Sequence, residues 1–490
     1  MIEVRTLMLQ GRKRVIAGHL GVLAVLTSLG LLLNEKVWLH GRMATQTLSQ
    51  RGDVAEQLWF LGVIPHLVFS GHSILHTDLA YAGSGGVNLM ANTSLTGPAL
   101  LLSGFTWLSG PVLALNVGLL LAPVLSGWAM YALLTRFTTS FLIATFGAVS
   151  FGFCPALLSH LRLAHFQLTF ALVLPLFGLL AVDLLRGHRS PKRTGLLAGL
   201  ALVVQYSIGA EMLVIESLTA ATLLAAAQIV DRKACVAWIR LGLKAVPYAL
   251  VVAVPLLCIP IAYELFGPRH FSGPPWVNTA EGGGLLDLIE PRHPHEILSW
   301  LTAVFGNLGP QGAPINFVGV GVVACLLALL IFLRRDRQIR ILLIAIGLLV
   351  VLNLGKALTL RQGDHHSVLP WMPWRLFVNV PVLQQFTVSR LAFATDALIV
   401  VALCLGLCRL YDYLTARREY RRGVVMSLLL AVMAVAIVPV VVGQAFPLTV
   451  SSAGAAPPWV VEFGKHAGPS ERVLFLPYPS TPPGLSSPLA

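Results

Sequence analysis

Apolar residues in this chain gather into long unbroken blocks, separated by short polar segments and a few long ones. A membrane-spanning helix needs about 20 predominantly apolar residues. Eleven blocks approach that length: 17–34, 111–134, 138–156, 165–185, 194–209, 211–230, 245–265, 315–333, 341–356, 391–410 and 424–444. The pattern predicts an all-α integral membrane protein, a polytopic bundle of about eleven transmembrane helices. The first block follows Arg12, Lys13 and Arg14 and ends at Asn34-Glu35-Lys36, which is no small-residue cleavage site. It reads as a retained helix that doubles as the targeting signal.

Charge orients the blocks. Lys and Arg favour cytoplasmic loops. With eleven crossings, 22 of the 34 Lys and Arg residues fall in inner segments around 5–14, 136, 186–193, 232–244, 334–340 and 409–422. This places the N-terminus in the cytoplasm and the C-terminus outside. Residues 194–230 lie between two basic loops and must cross an even number of times. The turn is expected at Ser207-Ile208-Gly209-Ala210, on the outer side.

The remaining segments are long and lie outside: 35–110, 157–164, 266–314, 357–390 and a tail from about 446. Loops of this length in a compact protein tend to carry function. Within the first, Leu58, Trp59, Phe60, Val63, Ile64, Leu67 and Val68 have the spacing of an amphipathic helix lying in the interface over Asp53–Ser70. The run 98–109 is too short to span and reads as a helix dipping into the outer leaflet. The chain thus divides into a transmembrane domain, 1–445, and an extracytoplasmic tail, 446–490, in which 473–478 reads as an opening strand without partners.

Composition agrees. Hydrophobic residues make up 56% of the chain and charged residues 11%, whereas soluble domains carry about 25% charged residues. The net charge of +13 does not indicate nucleic acid, because the basic residues sit in clusters between apolar blocks and not along one face. Cys154, Cys235, Cys258, Cys325, Cys404 and Cys408 lie mostly in or beside apolar blocks and read as small core residues.

Candidate chemistry concentrates outside. Asp53 and Glu56 stand at i and i+3 and can share a helix face. One carboxylate can take a proton from a hydroxyl, and two can share a divalent cation such as Mg or Mn. The structural alternative is a helix N-cap at Asp53 with Glu56 closing a capping box. His72, His76 and Asp78 form a second outer patch, suited to a wet loop or to metal. His160 and His165 flank Arg162 and could line a phosphate site. Glu211 and Glu216 follow the turn at Gly209, and Glu216 lies deeper, where a carboxylate is a functional candidate by default. Lys356, Arg375 and Arg390 supply cations, and Arg grips phosphate oxygens with two parallel hydrogen bonds. His365 and His366 are weaker candidates. Gly282-Gly283-Gly284 reads as a flexible stretch of polar loop. The chain contains no phosphate-binding Gly-Lys-Ser/Thr loop, dinucleotide fingerprint or His-Glu-x-x-His.

The stretch Gly52-Asp53-x-x-Glu56-Gln57-x-Trp59, continuing to Asn88, resembles the first outer loop of the GT-C superfamily. These are polytopic glycosyltransferases that use polyprenyl-phosphate sugars. Gly110-Pro111, Asn116, Ser126-Gly127, His160 to His165, Gln205 with Glu211, and Leu369-Pro370-Trp371 to Ser389-Arg390 extend the likeness, which spans about 40–480 and is similar to a bacterial branch of that superfamily. Such enzymes often have an adjacent Asp-Glu pair where this chain spaces Asp53 from Glu56, and they tend to continue into a folded outer domain.

The resemblance implies transfer of a sugar from a polyprenyl-phosphate donor to an envelope glycan, lipid or protein on the outer face of a bacterial plasma membrane. Asp53, with Glu56 beside it, takes the role of base or metal ligand. Arg390, with Arg375, Lys356 and His165, faces the donor phosphate. Glu211, Asp78 and His72 line the acceptor cavity. Two other function classes fit the same hydropathy: a transporter or lipid-carrier flippase, expected to show inverted repeats and polar residues at mid-membrane, and a non-catalytic assembly protein.

Overall fold

The computed structural model describes residues 2–38, 40–47, 53–80, 85–91, 95–270, 282–289, 315–362, 366–416, 422–445 and 451–452. These residues are mostly helical, and each apolar block is occupied by helix. The first half contains α1 (Ile2–Leu33), α2 (Glu35–Trp38), α3 (Val54–Phe69), α4 (Thr96–Leu101), α5 (Ser103–Ser109), α6 (Pro111–Leu134), α7 (Phe141–Gly152), α8 (Pro155–Arg162), α9 (Phe166–Thr169) and α10 (Val173–Leu185). The second half contains α11 (Pro191–Ile208), α12 (Glu211–Val230), α13 (Arg232–Leu243), α14 (Val246–Phe266), α15 (Val320–Phe332), α16 (Arg337–Asn353), α17 (Ala392–Ala416) and α18 (Arg422–Ala445). Among the described residues, seven helical stretches are long and apolar enough to cross a membrane. The protein is therefore an all-α membrane protein. The turn at Gly209 falls where the basic loops on either side require it.

Among the described residues, strands are limited to three short antiparallel pairs. Gln46–Thr47 pairs with Ser451–Ser452, His76–Thr77 with Val87–Asn88, and Leu358–Thr359 with Ser367–Leu369. The first pair brings the segment after α1 beside the segment after α18. Of the expected tail, only Ser451 and Ser452 are described; the strand expected at 473–478 lies outside the described residues, as does His365.

The stretch leading into α17 is central. Val388–Thr415 is almost wholly buried and Val246–Phe266 almost wholly exposed, so the first stretch is a core element and the second lies at the periphery of the bundle. Side chains cannot gain hydrophobic energy by leaving lipid for one another, so close helix contact depends on small residues. Gly195 and Gly199 show this on α11. A Cβ on Gly195 would stand 2.2 Å from the carbonyl oxygen of Ala245, and one on Gly199 2.5 Å from that of Ala249. Their bare faces let α11 lie against the backbone of α14.

Several polar contacts tie the loops at each end of the bundle. At the basic end, Asp183 receives Arg136 at 2.5 Å and Arg189 at 2.8 Å, Arg337 meets Asp231 at 2.6 Å, and Arg409 meets Asp336 at 3.2 Å. These pairs tie successive basic loops together. Helix α13 lies at this end. It carries Arg232, Lys233 and Arg240 and exposes Val236, Ile239 and Leu243. Such a basic amphipathic helix suits the membrane surface, and it occupies what reads in the sequence as a plain loop.

At the opposite end, the amide of Asn116 donates to the carbonyls of Met43 at 2.8 Å and Gln46 at 2.7 Å, and that of Asn88 to Tyr263 at 3.0 Å and Pro268 at 2.9 Å. The helix expected at Asp53–Ser70 forms as α3, but Phe60, Leu61, Val63, Ile64 and Leu67 are buried, so it is packed into the bundle on more than one face. The run 98–109 forms α4 and α5. Leu101, Trp107 and Leu108 are exposed there, and the Phe69 ring meets Trp107 edge-on at 4.5 Å. This apolar tip suits the depth of a leaflet.

Gly282-Gly283-Gly284 departs from the expectation of a flexible loop. All three are buried. The amide of Gly283 donates to Asn353 at 3.0 Å, and that of Gly284 to the Asp287 carboxylate at 3.0 Å. A Cβ on Gly282 would fall 2.1 Å from the Asn353 carbonyl oxygen, and one on Gly284 2.3 Å from the Arg361 Cα. The glycines are there for close backbone approach.

Candidate functional site

Three segments distant in sequence meet at the end opposite the basic loops: the start of α3, the turn between α8 and α9, and the 3-10 turn Val388–Leu391 that leads into α17. Asp53 holds the N-cap position of α3, yet its side chain makes no capping hydrogen bond. The capping box available from the sequence is therefore not formed. Asp53 Oδ2 instead stands 3.5 Å from Nε2 of His165, at the outer limit of hydrogen-bond length.

The turn that presents His165 is strained. Ala164 adopts φ +49°, a left-handed conformation that costs a non-glycine residue about 1 kcal/mol. The amide of His165 closes on the His160 carbonyl at 3.0 Å, and the two Nδ1 atoms come within 2.7 Å. That contact needs one N–H and one lone pair, so the rings cannot both be imidazolium. One proton arrangement serves both contacts: His165 Nε2–H directed at Asp53, and His160 Nδ1–H donated to His165 Nδ1. His160 is buried and stacks on Phe393 at 5.3 Å with an interplanar angle of 17°. A second tie holds the turn against α3, where Gln57 Nε2 donates to Gln167 Oε1 at 3.3 Å.

Glu56 lies one turn along α3 from Asp53. Its Oε1 is buried without a hydrogen-bond partner. Burial, reinforced by the charge of Asp53, pushes its carboxyl up to about 7. A carboxyl raised in this way can hold or release a proton near neutral pH.

Arg390 and Glu211 form the cationic side. Arg390 Nη1 donates to Glu211 Oε2, and the amide of Thr387 donates to Glu211 Oε1 at 3.3 Å. Both side chains are mostly buried, 15% and 23% exposed. The charge of Arg390 reaches His165, and Phe393, one turn further on, carries the His160 ring. Asp53, Glu56, His165, Glu211 and Arg390 therefore belong to one cluster.

Lys356 and Arg375 belong to the segment between α16 and α17. Lys356 contributes its carbonyl to the amide of Met372 at 3.0 Å, and Arg375 Nη1 donates to the Pro370 carbonyl at 3.0 Å from an exposed position. His72 and Asp78 are exposed in the segment after α3. Among the described residues, no three His, Cys, Asp or Glu side chains are grouped to hold a metal ion. Asp53 and Glu56 are left as the carboxylate pair for Mg or Mn. A ligating carboxylate must be deprotonated, so an ion bound by this pair would displace the proton that burial helps Glu56 to keep.

Sequence reasoning did not single out Gln167, Thr387 and Phe393. Each acts through a partner more than a hundred residues away, and no local pattern marks such a pairing. No family model, curated protein or solved structure matches this chain.

Proposed function

We propose that this protein is a membrane glycosyltransferase of the GT-C type, moving a sugar from a polyprenyl-phosphate donor to an envelope acceptor on the outer face of a bacterial plasma membrane. The reading includes eleven crossings, a cytoplasmic N-terminus and an extracytoplasmic C-terminus. The observation that carries it is the meeting of Asp53 and Arg390 in one cluster at the end away from the basic loops. A carboxylate that can accept a proton lies beside His165, and a guanidinium that can hold a phosphate lies within electrostatic reach of the same histidine.

In this mechanism the acceptor hydroxyl gives its proton to Asp53. Its oxygen bonds to the anomeric carbon as the bond from that carbon to the phosphate oxygen breaks. The electron pair leaves with the polyprenyl phosphate, which Arg390 holds. One direct displacement inverts the anomeric centre. His165 fixes the Asp53 carboxylate, and no step requires a metal. The exposed tip at Leu101, Trp107 and Leu108 supplies apolar surface for lipid or for the donor's tail.

The test uses purified protein in lipid with radiolabelled polyprenyl-phosphate sugars, scoring label moved to crude envelope acceptors or to water. Transfer that is lost in Asp53→Asn supports the reading. Equal transfer by both proteins removes Asp53 from the mechanism, and no transfer from any donor removes the enzyme.

A carrier is the second reading, favoured by Glu216. This α12 carboxylate is 8% exposed, and neither oxygen has a hydrogen-bond partner. Proton-coupled flux of a lipid-linked substrate that disappears in Glu216→Gln would favour the carrier.

A further inference from the structure

A second polar cluster lies under the 387–391 turn, unused by the chemistry above. A narrow cavity between α16 and α17 is lined by Asn316, Asn353, Thr395 and Asp396, with Leu288 and Ala392 on its walls. Asn316 is 4% exposed and Asn353 3%. Both amide atoms of Asn316 and Oδ1 of Asn353 are buried without a hydrogen-bond partner among the described residues. Buried polar groups are nearly always satisfied, so a cluster of unsatisfied ones calls for an explanation.

The donors and acceptors do not balance. Asn353 Nδ2 is taken up by the Ser389 carbonyl at 3.5 Å, and the Thr395 hydroxyl proton by the Leu391 carbonyl at 3.2 Å. Asp396 Oδ2 accepts the amide of Ala156 at 3.3 Å. Unsatisfied oxygens remain on Asn316 and Asn353, the Thr395 hydroxyl oxygen keeps its lone pairs, and Asp396 takes the Ala156 amide and the Cys154 thiol, so the spare donor group among the lining side chains is the Asn316 amide nitrogen. One water has two protons to offer and leaves the carboxylate charge uncompensated. A cation satisfies several oxygens at once. Among these lining residues Asp396 is the one acid, so a single positive charge neutralises its ionised form, whereas a divalent ion leaves an excess in a low-dielectric bundle.

Asn316 is also built into place. It lies against Gly283, where a Cβ would stand 2.0 Å from Asn316 Nδ2. Any side chain at 283 would displace the amide from the cavity.

We propose that this cavity binds a monovalent cation of sodium size, held by Asn316 Oδ1, Asn353 Oδ1, Thr395 Oγ1 and the Asp396 carboxylate. Such an ion joins α16, α17 and the 315–318 segment beneath Arg390. The site does not depend on sugar transfer.

The experiment uses the full chain in detergent and in lipid nanodiscs. Radioactive sodium binding is measured by scintillation proximity, and the thermal midpoint is followed as NaCl replaces choline chloride at constant ionic strength. Saturable binding near one ion per chain is expected, with a midpoint that rises with NaCl, because a ligand that binds only the folded state stabilises it. Asp396→Asn should abolish both effects, and Asn316→Ala should weaken binding at least tenfold. If Asp396→Asn does not fold, Asn316→Ala decides. No saturable binding by the wild-type protein, or binding unchanged in a folded variant, overturns the proposal.

Discussion

Arg390 and Glu211, separated by 179 residues, form an ion pair that is mostly shielded from solvent. The pair occupies the guanidinium that a donor phosphate would need, and the Thr387 amide holds the other Glu211 oxygen. A phosphate and a carboxylate compete for the same fork. Glu211→Gln, which keeps the shape and removes the charge, should bind a polyprenyl monophosphate about tenfold more tightly than the wild type. Arg390→Gln should lose that binding. Titration of the lipid phosphate into nanodisc-embedded protein reads both.

His165 positions Asp53 through a long contact, and His160 positions His165 through a short one. His165→Phe should lower kcat by about tenfold or more with little change in KM, since orientation and not binding is lost. His160→Gln, which can still offer a hydrogen-bonding atom, should cost less than His160→Leu. Initial rates for the three variants and the wild type check the order.

Glu56 gives the protein a pH signature. Its folded-state carboxyl lies at about 7, raised from 4.5 by burial first and by Asp53 second. Below 4.5 it is protonated in both states and contributes no penalty. As pH rises from 4.5 to about 7 the unfolded chain ionises first, so stability falls over that window and stays lower above it. The loss is at most about 3 kcal/mol. Glu56→Gln should therefore match the wild type near pH 4 and exceed it at pH 8, as measured by the difference in thermal midpoint across that range.

The α11–α14 contact should be intolerant of even a methyl group. Gly195→Ala and Gly199→Ala place a Cβ against backbone carbonyls of α14, and overpacking of this kind costs roughly 1–3 kcal/mol. Gly242→Ala, with nothing within 4 Å of the added atom, is the control. Thermal midpoints in one detergent should fall for the first two variants and hold for the third.

Sidedness can be read by labelling. Single cysteines at Lys192 and at His72, each in a chain lacking its native cysteines, should react with an impermeant maleimide from opposite faces of sealed vesicles. Labelling of both from one face would remove the orientation and with it the proposed outer site.

Much of this protein is legible along the chain. Spanning helices bury apolar side chains against lipid, so their composition is a local property, and the blocks at 111–134, 211–230 and 245–265 are occupied by helix nearly residue for residue. Basic loops are local too, which is why the turn at Gly209 could be placed from the residues on either side. Candidate side chains at Asp53, Glu56, His165, Glu211 and Arg390 could be named for their chemistry and their position outside or at the edges of the apolar blocks.

Only the tertiary structure decided what those side chains meet. Asp53 turns from capping α3 to His165, and Glu211 closes on Arg390, because helices far apart in sequence end side by side. Gly282-Gly283-Gly284 became a packed seam instead of a flexible loop for the same reason: whether a glycine permits motion or close approach depends on what lies opposite. The Asn316, Asn353 and Asp396 cluster has no signature in the sequence at all. A buried amide looks like any other asparagine until its neighbours fail to satisfy it, and those neighbours are set by packing.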